Sequence, residues 1–196
     1  MGIALIVAGG WLALGNPGWP AAFSSATSQI VSTQALPTEP STAPPTQAAA
    51  RTVSGPLRLR FRALGIDAAV VPIRTTGRVL TPPADPSRLG WWHEGARPGA
   101  AAGTLLVTGH TVHDGVGALD DLGRALVGDR VSVSGGGHRI TYGVTRVLVL
   151  TKAQLARRAP GLFDVHGPHR LVLVTCESWD GAGYDGNVVV VAEPIR

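Results

Sequence analysis

From residue 56 onward the chain is written in short apolar stretches separated by turn residues, and that rhythm restricts it to a mainly β fold. Residues 57–61 read Leu, Arg, Leu, Arg, Phe, the alternation of a strand with one buried face. Residues 68–73, 104–108, 130–134, 139–150, 170–175 and 187–192 are further strand candidates. Gly135-Gly136-Gly137 offers a hairpin turn between two of them. Only two short helical pieces fit, over 119–126 and 153–158. The spacing predicts a single β-barrel or sandwich of about seven or eight strands with short helices.

Two different zones precede this domain. Residues 1–23 carry no charged side chain, and Ile3 to Leu14 is almost wholly apolar. As a helix those residues span about 18 Å, against roughly 30 Å of hydrocarbon in a bilayer. The expectation is an apolar N-terminal helix serving as a short membrane anchor or as a signal segment, with small residues around Ala22 and Ser24 suited to cleavage. Residues 24–55 are rich in Ser, Thr, Ala, Pro and Gln, with Glu39 and Arg51 the only charges. Such a stretch buries too little apolar surface to offset its ordering entropy, and it reads as a disordered, Pro-stiffened linker. Anchor or signal (1–23), linker (24–55) and folded domain (56–196), in that order, put the domain outside the cytoplasm.

The formal charge is +4 and the isoelectric point about 10.2. The basic residues are scattered, with no stripe interleaved with aromatics, so nucleic acid is not an expected partner. One cysteine, Cys176, excludes an internal disulfide and leaves an inert buried thiol, a reactive thiol or an intermolecular bridge.

Where that cysteine sits favours reactivity. Cys176 closes the apolar run Leu171-Val172-Leu173-Val174-Thr175, and the polar stretch Glu177-Ser178-Trp179-Asp180-Gly181 follows. A second run, Thr104-Leu105-Leu106-Val107-Thr108-Gly109, delivers His110 in the same way. A thiol needs a base to become a thiolate near neutral pH, and an imidazole can be that base. If the two strands are parallel neighbours, both side chains emerge on one rim. His93, His113, His138, His166 and His169 compete for the role, but none ends an apolar run. One Cys and scattered His give no metal-ligand spacing.

At these residues the chain resembles the sortases, membrane-anchored cysteine transpeptidases, and is most similar to the class E/F type of actinobacteria. Ile66-Asp67-Ala68-Ala69-Val70-Val71-Pro72-Ile73 resembles an early strand pair of that family. Gly90-Trp91-Trp92 with Ala96-Arg97-Pro98-Gly99 resembles the approach to its catalytic strand. Leu106-Val107-Thr108-Gly109-His110 matches its Gly-His motif, Leu173-Val174-Thr175-Cys176 its Thr-Cys motif, and Asn187-Val188-Val189-Val190-Val191-Ala192 its last strand.

The resemblance implies a sortase-like barrel, Cys176 as nucleophile and His110 as general acid/base, with no cofactor and no metal. It implies an extracytoplasmic thiol peptidase and acyltransferase. Such an enzyme cleaves a C-terminal sorting signal of a secreted protein and passes the acyl product to an amine of the cell wall or of another protein. Thr175, Glu177 and Trp179 become candidate substrate contacts. One departure stands out. Sortases supply an arginine on the strand after the cysteine, where this chain reads Tyr184-Asp185-Gly186-Asn187. Asn187, as a neutral donor, and Arg97 or Arg146, from elsewhere in the chain, are the candidates for the oxyanion and substrate-orienting role. The departure also opens the alternative of a degenerate, non-catalytic sortase-fold binding module. A wall-crosslinking L,D-transpeptidase fits poorly, because its nucleophile lies in a Ser-His-Gly-Cys run.

Overall fold

A computed structural model describes residues 7–8, 55–77, 79–112, 116–179 and 184–195, with the backbone alone at 7–8, 176–179 and 184–185. The chain separates into two units, Met1–Trp11 with Ala49–Arg196, and Leu12–Ala48, and every described residue lies in the first. The strands in chain order are β1 (Val7–Ala8), β2 (Leu57–Phe61), β3 (Ile66–Ile73), β4 (Thr75–Thr76), β5 (Val79–Leu80), β6 (Leu89–Trp92), β7 (Thr104–Thr108), β8 (Arg130–Gly135), β9 (His138–Thr151), β10 (Arg170–Trp179) and β11 (Tyr184–Pro194); one helix, α1 (Lys152–Leu162), joins β9 to β10.

Eight strands close into a barrel in the order β10-β11-β9-β8-β2-β3-β6-β7. The expected mainly β barrel is therefore present. β7 and β10 close it as a parallel pair, and β3 and β6 are the other parallel pair. Over 1–23, where a helix was expected, only Val7–Ala8 is described, and these two residues are extended and pair with β5. The linker lies outside the described residues.

Alternation sets the inner wall. Leu57, Leu59 and Phe61 of β2 point inward, while Arg58 and Arg60 point outward and pair with Asp67. The β8–β9 turn falls on the predicted glycines. Gly136 and Gly137 both take positive φ, at 54° and 80°, which a two-residue hairpin of this hand requires.

β10 and β11 are buried on both faces, so Val172, Val174, Val189 and Val191 face outward yet are fully covered. The cover is α1, whose Leu155 and Leu162 pack on this outer face. Burying each is worth about 1.5–3 kcal/mol. α1 starts where a capping box permits it: Gln154 N–H donates to Thr151 Oγ1 at 3.2 Å, and Thr151 N–H donates to Gln154 Oε1 at 2.9 Å.

The helix expected over 119–126 is reduced to a 3₁₀ turn, Leu122–Arg124, held by i to i+3 bonds. Gly123 weakens a regular helix there.

Candidate active site

The barrel's closing seam brings the two motif strands together. β7 lies beside β10 in parallel, with Leu106 level with Val172 and Thr108 level with Val174. The Gly109 N–H reaches on to the Val174 carbonyl at 3.4 Å. The pairing ends there; His110 stands two residues beyond Thr108 and Cys176 two residues beyond Val174. On the other side β11 runs antiparallel, with Asn187 directly opposite Cys176. Leu106, Val172, Val174, Val189 and Val191 all belong to the outer apolar cluster under α1. Positions 110, 176 and 187 continue the same alternation, so all three lie on that outer face. Adjacent strands sit about 4.8 Å apart.

His110 is held in one orientation. Its Nε2 lies 2.8 Å from the Pro83 carbonyl. A carbonyl only accepts, so Nε2 carries the proton and Nδ1 presents a lone pair in the neutral ring. The segment bearing Pro83 is itself braced. Asp85 accepts from Ser87 N–H at 2.9 Å and from the Ser87 hydroxyl at 2.6 Å, and Ala118 N–H donates to the Pro86 carbonyl at 2.8 Å. The Ser87 bonds, above all that from its hydroxyl, hold the Asp85 carboxyl below its usual range.

The residue before His110 must be glycine. A Cβ on Gly109 would lie 2.6 Å from Leu89 Cδ2 and 2.9 Å from Leu119 Cγ. Beyond His110, Asp120 gathers the loop: Oδ1 accepts from Val112 N–H at 2.8 Å and Oδ2 from Gly117 N–H at 2.7 Å. The His110 carbonyl accepts from Leu119 N–H at 3.2 Å. Sequence reasoning missed Pro83 and Asp120. An acid three residues after Gly117 was the one visible sign of the loop closure.

Thr175 is corrected from substrate contact to brace. It is 1% exposed, shares the inner face with Leu171 and Leu173, and donates its hydroxyl to the Gly109 carbonyl at 3.0 Å. Its single proton is thereby used, so the Thr111 hydroxyl, 2.7 Å away, is the donor to Thr175 Oγ1. Glu177 and Trp179 do not begin a loop, as expected, but extend β10, paired with Gly186 and Tyr184. By alternation these two positions share the face of Thr175 rather than that of Cys176.

Neither candidate arginine reaches the thiol position. The Arg97 guanidinium lies 5.6 Å from the ring centre of Trp91, an inner-core residue. Its neighbour Ala96 bonds Thr104, at the opposite end of β7 from His110. Arg146 is level with Val191, whereas Leu150 is level with Asn187. Four residues of strand separate those levels, about 13 Å. Asn187 is 1% exposed, and its Nδ2 is the one buried side-chain nitrogen or oxygen without a hydrogen-bond partner among the described residues.

The other histidines serve elsewhere. His93 packs against Trp91, with ring centres 5.5 Å apart. His138 opens β9, and His166 donates its backbone N–H to Asp164. His169 donates from Nδ1 to the Gly103 carbonyl at 3.0 Å and accepts the Tyr142 hydroxyl proton at Nε2, also at 3.0 Å. Burial lowers the His169 pKa and pushes that of Tyr142 up to about 12. His113 lies outside the described residues.

A parallel seam whose two strands lead on to a cysteine and to an oriented imidazole suits acyl transfer. Comparison with known proteins agrees with that architecture. The family profile described as Sortase domain matches residues 59–195. No curated protein matches the chain. Among solved structures it is similar to sortase C-1 of Actinomyces oris (19% identity, 71% of this chain and 73% of that one, TM-score 0.57). It is also similar to sortase C2 of Group B Streptococcus Pilus Island 1 (18%, 71% and 73%, 0.56) and sortase A of Corynebacterium diphtheriae (16%, 76% and 63%, 0.58). The chain belongs to the sortase domain family.

Proposed function

We propose that the protein is an extracytoplasmic cysteine transpeptidase in which Cys176 is the nucleophile and His110 the general acid/base. The observation that supports this reading is the seam, where β7 and β10 pair in parallel up to Thr108 and Val174, each two residues short of His110 and Cys176. The Cys176 thiol gives its proton to His110 Nδ1, and sulfur attacks a backbone carbonyl of a sorting motif near the C-terminus of a secreted protein. As the tetrahedral intermediate collapses, the C–N bond breaks and the leaving amine takes the proton from His110. A thioester remains. An amine of the cell wall or of another protein then attacks it, surrendering a proton to His110, and sulfur leaves and is reprotonated. Throughout, Nε2–H stays on the Pro83 carbonyl, which supports the imidazolium in each half-reaction.

Within the family, the reading is the class E/F type, to which the chain's motif segments taken together are most similar. Residues 1–23 tether the chain to the membrane or direct its export, residues 24–55 act as a spacer, and the catalytic domain, 56–196, works outside the cytoplasm.

The test is mass spectrometry of the protein after incubation with a library of C-terminal sorting peptides. The parent is expected to gain one acyl mass at Cys176. Cys176→Ala abolishes the adduct and His110→Ala nearly does. Full activity in Cys176→Ala would exclude the thiol mechanism.

A further inference from the structure

We infer that the side-chain amide of Asn187 is the hydrogen-bond donor for the oxyanion that forms when Cys176 attacks its substrate. The inference rests on the thiol reading above and deepens it. As sulfur bonds to the carbonyl carbon, the π pair moves onto oxygen. That negative charge needs a hydrogen-bond donor. When the pair returns, the C–N bond breaks and the amine leaves with the His110 proton.

Three observations converge on Asn187. It is directly opposite Cys176 in an antiparallel pair, so the two positions share one face of the sheet. Its Nδ2 is buried and unpartnered among the described residues. Leaving such a group unpaired is unfavourable for the folded state, and Asn187 opens a run of four valines that fill the same strand without that cost. An idle amide at that position therefore points to a partner that arrives with the substrate. Neither Arg97 nor Arg146 competes: one lies over the ring of Trp91, an inner-core residue on the other face of the sheet, and the other lies four residues down the neighbouring strand. The donor is neutral, so the thiol has no adjacent cation at this position and depends on His110 as a base.

Two small reagents separate oxyanion stabilisation from simple access. Acetylation by p-nitrophenyl acetate passes through a tetrahedral oxyanion, whereas alkylation by iodoacetamide is a displacement that forms none. Both are followed at Cys176 by mass in the full chain, for the parent, Asn187→Leu and Asn187→Asp. Both variants are expected to lose acetylation on the order of 10²-fold while alkylation stays within about threefold. Asn187→Leu should melt at the same temperature as the parent or higher, since it replaces an unpaired buried amide with an apolar group of similar size. Unchanged acetylation overturns the inference. So does an equal fall in both reactions, with or without a lower melting temperature, because it marks a structural role. A parent that neither reagent labels at Cys176 overturns the thiol reading itself, a result distinct from either.

Discussion

Thr175 has one proton and two oxygens to serve. It donates to the Gly109 carbonyl and accepts from Thr111, so it ties the His110 turn to the cysteine strand from the inner side of the sheet. Thr175→Val keeps the shape and removes both bonds. It should lower stability by about 1–3 kcal/mol, read from urea unfolding, because a buried carbonyl and a hydroxyl lose their partner. It should also reduce kcat more than it raises KM, since the imidazole drifts while the outer face is intact. Thr175→Ser restores most of both. The sequence could not separate Thr175 from its neighbours: Val172, Leu173 and Val174 are all fully buried, so no alternation of polarity marks the two faces of β10. That strands lead to Cys176 and His110 was legible because each follows an apolar run into polar chain. Pro83 was not, since its contribution is a backbone carbonyl that any residue carries.

At the level of elements, the strands read well where alternation or apolar run length speaks. Over β2 and β7 the expected and observed limits coincide. β10 was expected to stop near the cysteine, yet it continues to Trp179, because ladder bonds to Tyr184 and Gly186 need only backbone and tolerate polar side chains. β6 went unread: four residues with a glycine inside carry little period, and that glycine is there because a Cβ on Gly90 would lie 2.5 Å from Ile73 Cδ1. α1 covers the outer face that ends at the site, so its cap matters beyond the helix. Thr151→Ala removes one half of the capping box and is expected to cost about 1 kcal/mol in thermal or urea unfolding, with the helical signal lost first. Thr151→Ser should cost little.

Across the whole molecule, the seam between β7 and β10 is fastened near both ends. Near the thiol the tie is Thr175 to Gly109; at the far end it is His169, which bonds the Gly103 carbonyl before β7 and the Tyr142 hydroxyl on β9. His169 is held neutral, because burial lowers its pKa below the ordinary 6.5. In the unfolded chain the ring takes up a proton as pH falls past 6.5, while the folded ring does not until a lower pH. The unfolded state then binds more protons, so this contribution to stability is whole above pH 6.5 and is lost as pH falls toward the folded value. Melting temperature measured from pH 8 to 5 should decline more steeply for the parent than for His169→Gln, and identical slopes would contradict the assignment.

Because the sulfur and the imidazole come from the two strands that complete the cylinder, neither has its counterpart until the ring of strands is shut. A chain opened by heat holds the two segments apart. On the proposed mechanism, reactivity is thereby withheld from every form except the finished one.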